Sequence, residues 1–313
     1  MNNDIYTENV LIKVAWYYYK ENLTQNEIAE ILGLSRNKVV RLLDKARADG
    51  IVQFHIQGTG SNCLEIEQDL KKKYKLPHAF IIPTPINPTD LSHSLAKAAA
   101  QYIQSKTEQH DLLGFGWGKA VSDTIDQLSF DTDRPISMVT LTGGVNYYLP
   151  TSSIGHGGIG KFHKIHIIPT PFLASSEEMA SKFLSEPSVK EILDLAKLTK
   201  YIIVGIGGIS PEATIIVEEK LTIHELTHIK QQHAVGDILG QFFNKDGEIL
   251  ELPHHSRLIG TELSLLKELQ NVIAVAGGEN KITAIYGALK GKYVQTLITD
   301  EATAKSLLEM EVD

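Results

Sequence analysis

One cysteine, Cys63, among 313 residues leaves no partner for an internal disulfide and fits a reducing, cytoplasmic setting. It falls where a linker gives way to a helix and reads as a small packed residue. No apolar run approaches the roughly 20 residues that cross a bilayer. The opening MNNDIYTENV has none of the basic-then-apolar pattern of a leader, so a cytoplasmic chain is expected. Low-complexity tracts and fixed-period repeats are missing too, which argues against a solenoid. A surplus of positive charge is also lacking: 30 Lys and Arg face 38 Asp and Glu, a net charge of −8. That balance alone argues against a nucleic-acid partner. It is not spread evenly, however. The first 56 residues hold seven bases against seven acids, and Arg36 to Arg47 holds five bases against the single acid Asp44. The remainder carries the deficit, 23 bases against 31 acids.

The local basic stretch lies inside TQNEIAEILGLSRNKVVRLL, Thr24 to Leu43. Thr24 and Glu27 have the spacing of a capping box that opens a helix. Ile28, Ala29 and Leu32 give that helix one apolar face, and Gly33 sits where a sharp turn needs positive φ. Leu34 fills the gap to a second helix for which Ser35 is a good N-cap. The second helix turns Val39, Leu42, Leu43 and Ala46 inward and leaves Arg36, Asn37, Lys38 and Arg41 outward. This is the plan of a helix-turn-helix, whose second helix enters the major groove. Thr24, Gln25, Ser35, Arg36, Asn37, Lys38, Arg41 and Lys45 are the candidate DNA contacts, with double-stranded operator DNA as the partner. An ordinary amphipathic helical hairpin would share the periodicity. The joint spacing of Ala29, Gly33, Leu34 and Val39 weighs against it, as does the strand-like run Gly50 to Ile56, which reads as a β wing. Val10 to Lys20 supplies a covering helix. A winged helix-turn-helix over residues 1–57 follows, with the linker near Gln57 to Asn62.

Residues 58–313 alternate β-rich apolar runs with helix-period segments. Candidate strands are Ala79–Ile82, Leu112–Phe115, Ser137–Leu141, Ile165–Ile168, Tyr201–Ile206, Val272–Ala276 and Val294–Ile298. Candidate helices include Leu91–Ile103, Lys119–Leu128, Ser188–Leu198, Leu263–Leu269 and Lys281–Leu289. Continuous apolar strands followed by helices imply a doubly wound, Rossmann-like α/β domain around a parallel sheet. Four strands run into glycine clusters: Gly114 to Gly118, Gly143-Gly144, Gly205 to Gly208 and Gly277-Gly278. Bare backbone at strand ends, followed by helix starts, suits an anionic ligand. Each cluster could equally be a tight connection; four at one sheet edge point to a crevice. Lys281, one turn into the last helix, would add a cation for phosphate.

GFGWGKAV (114–121), LTGGV (141–145), VGIGG (204–208), AVGDILGQFF (234–243), VAGGENKITAIYGALKG (275–291) and LITDEATA (297–304), together with the helix-turn-helix, resemble the SorC family of sugar-responsive bacterial transcriptional regulators along essentially the whole chain. The resemblance implies an effector domain related in fold to sugar-phosphate isomerases and CoA-transferases but serving as a sensor. It implies a phosphorylated sugar or polyol as effector, and homodimers or homotetramers on DNA. Carried over residue by residue, Gly116, Trp117, Gly118, Lys119, Thr142, Gly143, Gly144, Gly207 and Lys281 would line the phosphate crevice. Asp237 and Glu279 would meet sugar hydroxyls, and Val145 to Lys161 would shape the sugar end. Thr142 offers a hydroxyl rather than an amine, so binding is expected to be non-covalent. No cofactor is implied.

Three other readings compete. His224-Glu225-Leu226-Thr227-His228 matches the HExxH zinc signature, with Glu248 downstream. Among twelve His a chance match is unremarkable, and Leu221, Leu226 and Ile229 place the imidazoles outward, so no metal is expected. His156, His254 and His255 read as surface or sugar contacts. An active sugar-phosphate isomerase or deaminase fused to a DNA reader would need a paired acid and base, and none stands at an informative spacing. A nicotinamide enzyme would need the third glycine of G-x-G-x-x-G, which Gly114 to Gly118 lacks.

Overall fold

The computed structural model describes residues 2–48, 51–52, 61–130, 135–144, 161–269 and 271–311. The chain divides into two compact units, Met1–Gly58 and Thr59–Asp313. The described residues of the first form three helices, α1 (Asn2–Tyr19), α2 (Gln25–Leu32) and α3 (Arg36–Ala48). The Thr24–Glu27 capping box is formed in both directions at the start of α2, and Gly33 closes that helix with φ 63° and ψ 36°. Leu34 donates its amide to Ala29, and Lys38 donates its own to the Ser35 hydroxyl, so the turn is held at both ends. Val14, Ile28, Ala29, Val39 and Leu43 form a core that covers one face of each helix. Most of the expected wing, Gly50 to Ile56, lies outside the described residues.

The second unit opens with α4 (Ser61–Tyr74), β1 (His78–Ile82), α5 (Leu91–Lys106), β2 (Leu112–Phe115), α6 (Lys119–Gln127), β3 (Ser137–Thr140) and β4 (Lys164–His166). It continues with α7 (Glu177–Ser185), α8 (Pro187–Ala196), β5 (Tyr201–Gly205), β6 (Gly207–Gly208), α9 (Thr214–Val217), α10 (Ile223–Gln231), β7 (Gly236–Ile238) and β8 (Gln241–Phe243). It closes with α11 (Leu263–Leu266), β9 (Val272–Val275), α12 (Ile282–Lys290), β10 (Thr296–Asp300) and α13 (Glu301–Glu309). Seven strands form one sheet in the order β1-β10-β9-β5-β2-β3-β4, and every pairing in it is parallel.

Side-chain alternation along the strands explains the layers. Ile202, Val204, Val272, Ala274 and Leu297 point into one core with Leu70, Ile285 and Leu307 from α4, α12 and α13. Their neighbours Ile203, Ile273, Val275 and Ile298 point into a second core with Ile103, Ile125 and Leu226 from α5, α6 and α10. A sheet buried on both faces leaves no place for polar alternation, and that is why these strands read as continuous apolar runs. The doubly wound expectation holds.

Two local expectations differ. The final strand is Thr296–Asp300 rather than Val294–Ile298, because Lys292 turns left-handed (φ 58°) after α12. Tyr293 is then buried, donating its hydroxyl to Gly247 at 2.5 Å, so this stretch is apolar as a packed link rather than as a strand. The segment AVGDILGQFF forms a hairpin, β7–β8, within a small antiparallel sheet of order β6-β7-β8. Its two-residue turn places Leu239 at φ 56° and Gly240 at φ 78°, the primed geometry that matches strand twist.

Candidate functional site

On the helix-turn-helix unit, burial of Val39, Leu43 and Ala46 fixes the outward face of α3. Arg36, Asn37, Lys38, Arg41 and Lys45 are all exposed on it, and Ser35 and Thr24 cap the helices that carry and brace it. Gln25 is half-buried at the start of α2. The single acid of this stretch, Asp44, is paired with Arg47. The face offers guanidinium, ammonium and carboxamide donors at spacings that can meet base edges and phosphates.

On the sheet unit, the chain leaves β2 toward β3 and β4, then returns to β5 on the other side of β2 and proceeds to β9 and β10. The order therefore reverses between β2 and β5, and open α/β sheets bind ligands beyond the carboxyl ends of strands at such a point. A cavity of about 240 Å³ lies there. Trp117, Gly118 and Lys119 reach it from the end of β2, Gly207 from the end of β5, Lys281 from beyond β9, and Asp237 from β7. Gly118 (φ 118°) and Gly278 (φ 101°) bring the chain into helix without a side-chain cap, and the Gly278 amide itself donates to the Thr303 hydroxyl at 2.8 Å.

Asp237 is the electrostatic centre of the cavity. Its side chain lies against the bare backbone of Gly207, where an added Cβ would meet its Oδ1, and its Oδ2 accepts the Gly240 amide at 3.0 Å. Burial raises its pKa to about 6, against the opposing pull of that hydrogen bond and of Lys281. Burial pushes the Lys281 ammonium down from its usual value while Asp237 holds it up. Lys119 is engaged differently: its ammonium bonds Asp123 at 2.7 Å, and Asp123 also accepts the Ser92 hydroxyl at 2.8 Å.

The remaining expected residues have other places. The Gly116 amide donates to Ile203, and its missing side chain makes room for Leu239. Gly143 and Gly144 give their amides to Ile259 and Thr170, both at 2.8 Å, and Gly143 lies too close to the Pro171 carbonyl for any side chain. These amides hold the chain together and are not turned to a ligand. Thr142 lines a separate cavity of about 610 Å³ with Gln241, His255 and Thr261. Glu279 is exposed, and its neighbour Asn280 lines the crevice instead. Ser92, Ser210 and Glu212, none singled out from the sequence, also line it, beside Gly208 of the Gly205 to Gly208 cluster. Of the segment Val145 to Lys161, residues 145–160 lie outside the described residues, as does His156; Lys161 donates to the Asp126 carbonyl at 2.6 Å.

The HExxH match is a helix, α10, whose Glu225 accepts the Thr222 amide at 2.8 Å and the Thr222 hydroxyl at 2.7 Å. That carboxylate is occupied as a capping box, and Glu248 bonds Asn244 in a turn. Among the described residues no three His, Cys, Asp or Glu are placed to hold a metal. His254 is buried and His255 half-buried, and burial depresses both imidazoles to about 4. His255 accepts the Phe242 amide at 2.9 Å, and the His254 ring lies 3.3 Å from the Gly240 carbonyl. They brace the β7–β8 hairpin that carries Asp237.

Residues 59–309 match the family described as "Putative sugar-binding domain". Transcriptional regulator LsrR of Escherichia coli (strain K12) is 38% identical over 305 residues, covering 96% of this chain and 95% of that protein. LsrR of Enterobacter sp. (strain 638) is 36% identical over 307 residues, with 97% and 94% covered. The full-length sorbitol operon regulator SorC from Klebsiella pneumoniae shares the fold, with a TM-score of 0.70 over 96% of this chain and 98% of its own at 24% identity. A transcriptional regulator from Streptococcus pneumoniae TIGR4 gives a TM-score of 0.69 over 80% and 98% at 25% identity. The relatives identified in this way are regulators of transcription rather than enzymes, and no described helix is long and apolar enough to cross a membrane.

Proposed function

We propose, from the premise that this chain belongs to the SorC-type family of sugar-binding transcriptional regulators, that it controls a carbohydrate-utilisation operon from the cytoplasm in response to a phosphorylated sugar or polyol. The first unit is the operator-binding domain and the second the effector-binding and oligomerisation domain. The observation that carries the effector assignment is the crevice itself. Lys281 and two uncapped helix starts offer positive potential, and the buried Asp237 carboxylate stands beside them as an acceptor of hydroxyl protons. A phosphate at one end of a ligand and hydroxyls at the other match that polarity. Trp117, Gly118, Lys119 and Gly207 complete the walls.

The protein acts as a homodimer or homotetramer whose paired recognition helices address two half-sites, so operators are near-palindromic. The effector stabilises one arrangement of the oligomer over another. A coupling of about 1–3 kcal/mol changes operator affinity by roughly 5- to 150-fold.

A thermal-shift screen against phosphorylated and free sugars and polyols tests this reading, since a ligand that binds only the folded state raises the melting temperature by mass action. A saturable shift from one phosphorylated compound, absent with its unphosphorylated parent, is expected. Shifts only from unphosphorylated compounds would overturn the phosphate assignment.

A further inference from the structure

Two motifs of the second unit, VAGGENK (275–281) and LITDEATA (297–304), follow neighbouring strands, β9 and β10, whose parallel register brings their carboxyl ends together. From those ends a chain of hydrogen bonds runs away from the crevice. Gly278 donates its amide to the Thr303 hydroxyl at 2.8 Å, and that hydroxyl donates to Asp300. Asp300 also accepts the Thr84 hydroxyl, from just past β1, at 2.7 Å. We propose that Thr303, oriented by Asp300, is a positioning residue for the phosphate of the effector. It sets the turn that carries Lys281 into the crevice and touches no ligand itself. The inference rests on the phosphate reading of that crevice.

Chemistry forces the direction of these bonds. An ionised carboxylate only accepts, and a hydroxyl has one proton to give. With the Thr303 proton committed to Asp300, the Thr303 oxygen is left as an acceptor for the Gly278 amide. Thr303 and Asp300 are each 1% exposed, so water does not compete for either position. A buried polar network bonded in this way holds a single arrangement. Capping α13 uses only the bond from the Thr303 amide to Asp300, at 3.4 Å. The bonds to Thr84 and Gly278 go beyond what a helix cap needs.

The glycine turn is shaped to receive that bond. A Cβ on Gly277 would come within 2.6 Å of Asp300 Oδ1 and 2.9 Å of Leu95 Cδ1, so only bare backbone can lie against this carboxylate. Gly278 turns at φ 101°, and its carbonyl accepts the Lys281 amide at 3.0 Å. It is thus held on one side by Thr303 and on the other by the backbone of Lys281. Asn280 and Lys281 line the crevice, and the Asn280 carbonyl lies 2.9 Å from where a Cβ on Gly208 would stand. A glycine pair has the backbone freedom to place Lys281 elsewhere. One hydrogen bond from outside the crevice removes that freedom and fixes the ammonium beside Asp237.

The test titrates inorganic phosphate into the full chain, followed by phosphorus NMR in a buffer without competing anions. Wild type is compared with Thr303→Val, Thr303→Ala, Thr303→Ser and Leu307→Val. Wild type is expected to bind saturably. Thr303→Val keeps the shape and loses the hydroxyl, and should weaken phosphate about three- to tenfold. Thr303→Ser keeps the hydroxyl and should stay within about twofold of wild type. Thr303→Ala places a better helix former in α13, which preserves the readout if valine disturbs folding, and should lose as much affinity as valine. Leu307→Val removes buried volume from the same helix, and should lower the melting temperature with phosphate affinity kept. Deuterium exchange from Ala276 to Lys281 gives a local readout, faster in the valine and alanine variants and at the wild-type rate in the other two. Wild-type phosphate affinity in Thr303→Val, or an equal loss in Leu307→Val, would reduce Thr303 to a helix cap and overturn this inference alone. No saturable response from wild type would overturn the phosphate reading of the crevice together with it.

Discussion

The two units use the same chemistry in opposite settings. Arg36, Lys38, Arg41 and Lys45 are exposed on α3, whereas Lys281 is half-buried and shares its cavity with a carboxylate that is 5% exposed. Exposed charges act at a distance, sum over many partners and are screened within about 8–10 Å at ordinary salt. Buried charges act over one contact, are screened little and depend on geometry. A polyanion suits the first arrangement and a small molecule with one charged end suits the second. One acidic chain can thereby address two anions without confusing them.

Experiment can put that contrast at risk from several sides. The largest effect is expected from Lys38→Ala with Arg41→Ala, at about 1–3 kcal/mol for each base that goes unrecognised. Specific binding by electrophoretic shift should fall about thirtyfold or more with effector affinity unchanged. Raising salt from 50 to 200 mM should weaken wild-type DNA binding about a hundredfold if four phosphates are held, while effector affinity moves less than threefold. Parallel losses would erase the distinction.

Next comes Asp237→Asn. The folded carboxyl titrates near 6 against 3.8, so its stabilising contribution is present below 3.8 and lost as pH rises through about 6. The asparagine variant should be more stable at pH 7.5 by on the order of 3 kcal/mol, a gain that fades toward pH 4 in urea titrations. His254 and His255 run the other way. Their folded values near 4 against 6.5 keep stability intact above 6.5 and remove it as pH falls toward 4. The wild type should therefore lose stability on the acid side more steeply than a variant with both imidazoles replaced by glutamine.

Lys281→Ala should cost about 2 kcal/mol of affinity for a phosphorylated effector by calorimetry, and much less for its unphosphorylated parent. Equal losses would move the phosphate elsewhere. The smallest effect is expected at Gly33. Nothing stands within 4 Å of an added Cβ there, so Gly33→Ala carries only the left-handed backbone penalty, about 1 kcal/mol in a melt of the first unit.

The legibility of the molecule divides along the same line. The helix-turn-helix was readable because its determinants are local: a capping box, a left-handed glycine and a helical period, all within Thr24 to Leu43. The parallel sheet was readable from its apolar runs, with errors of a residue or two where a buried link such as Tyr293-Val294 is as apolar as a strand. The β7–β8 hairpin was not readable, because its turn begins with Leu239 in a conformation normally given to Asn, Asp or Gly. Of the crevice, the residues just past strand ends were legible, Trp117 to Lys119, Gly207 and Lys281. Asp237 was named through the family resemblance. Gly143 and Gly144 look identical in sequence to ligand-binding glycines, and only the positions of Pro171, Thr170 and Ile259 reveal that their amides are already taken. Pairing across long sequence distances leaves no local mark.

The last strand, β10, lies second in the sheet, between β1 and β9, and Lys73 and Tyr74 at the end of α4 bond the carbonyls of Met310, Leu308 and Leu307. On the ribosome, β1 therefore waits more than 200 residues for β10, its only strand partner among the described residues, roughly ten seconds or more at 5–20 residues per second. The three-helix unit has a core of its own, built on Val14, Ile28, Ala29, Val39 and Leu43. A nascent chain halted before Thr296 should yield a protease-resistant amino-terminal fragment and a digestible remainder, so the part that addresses DNA matures before the part that answers to a metabolite.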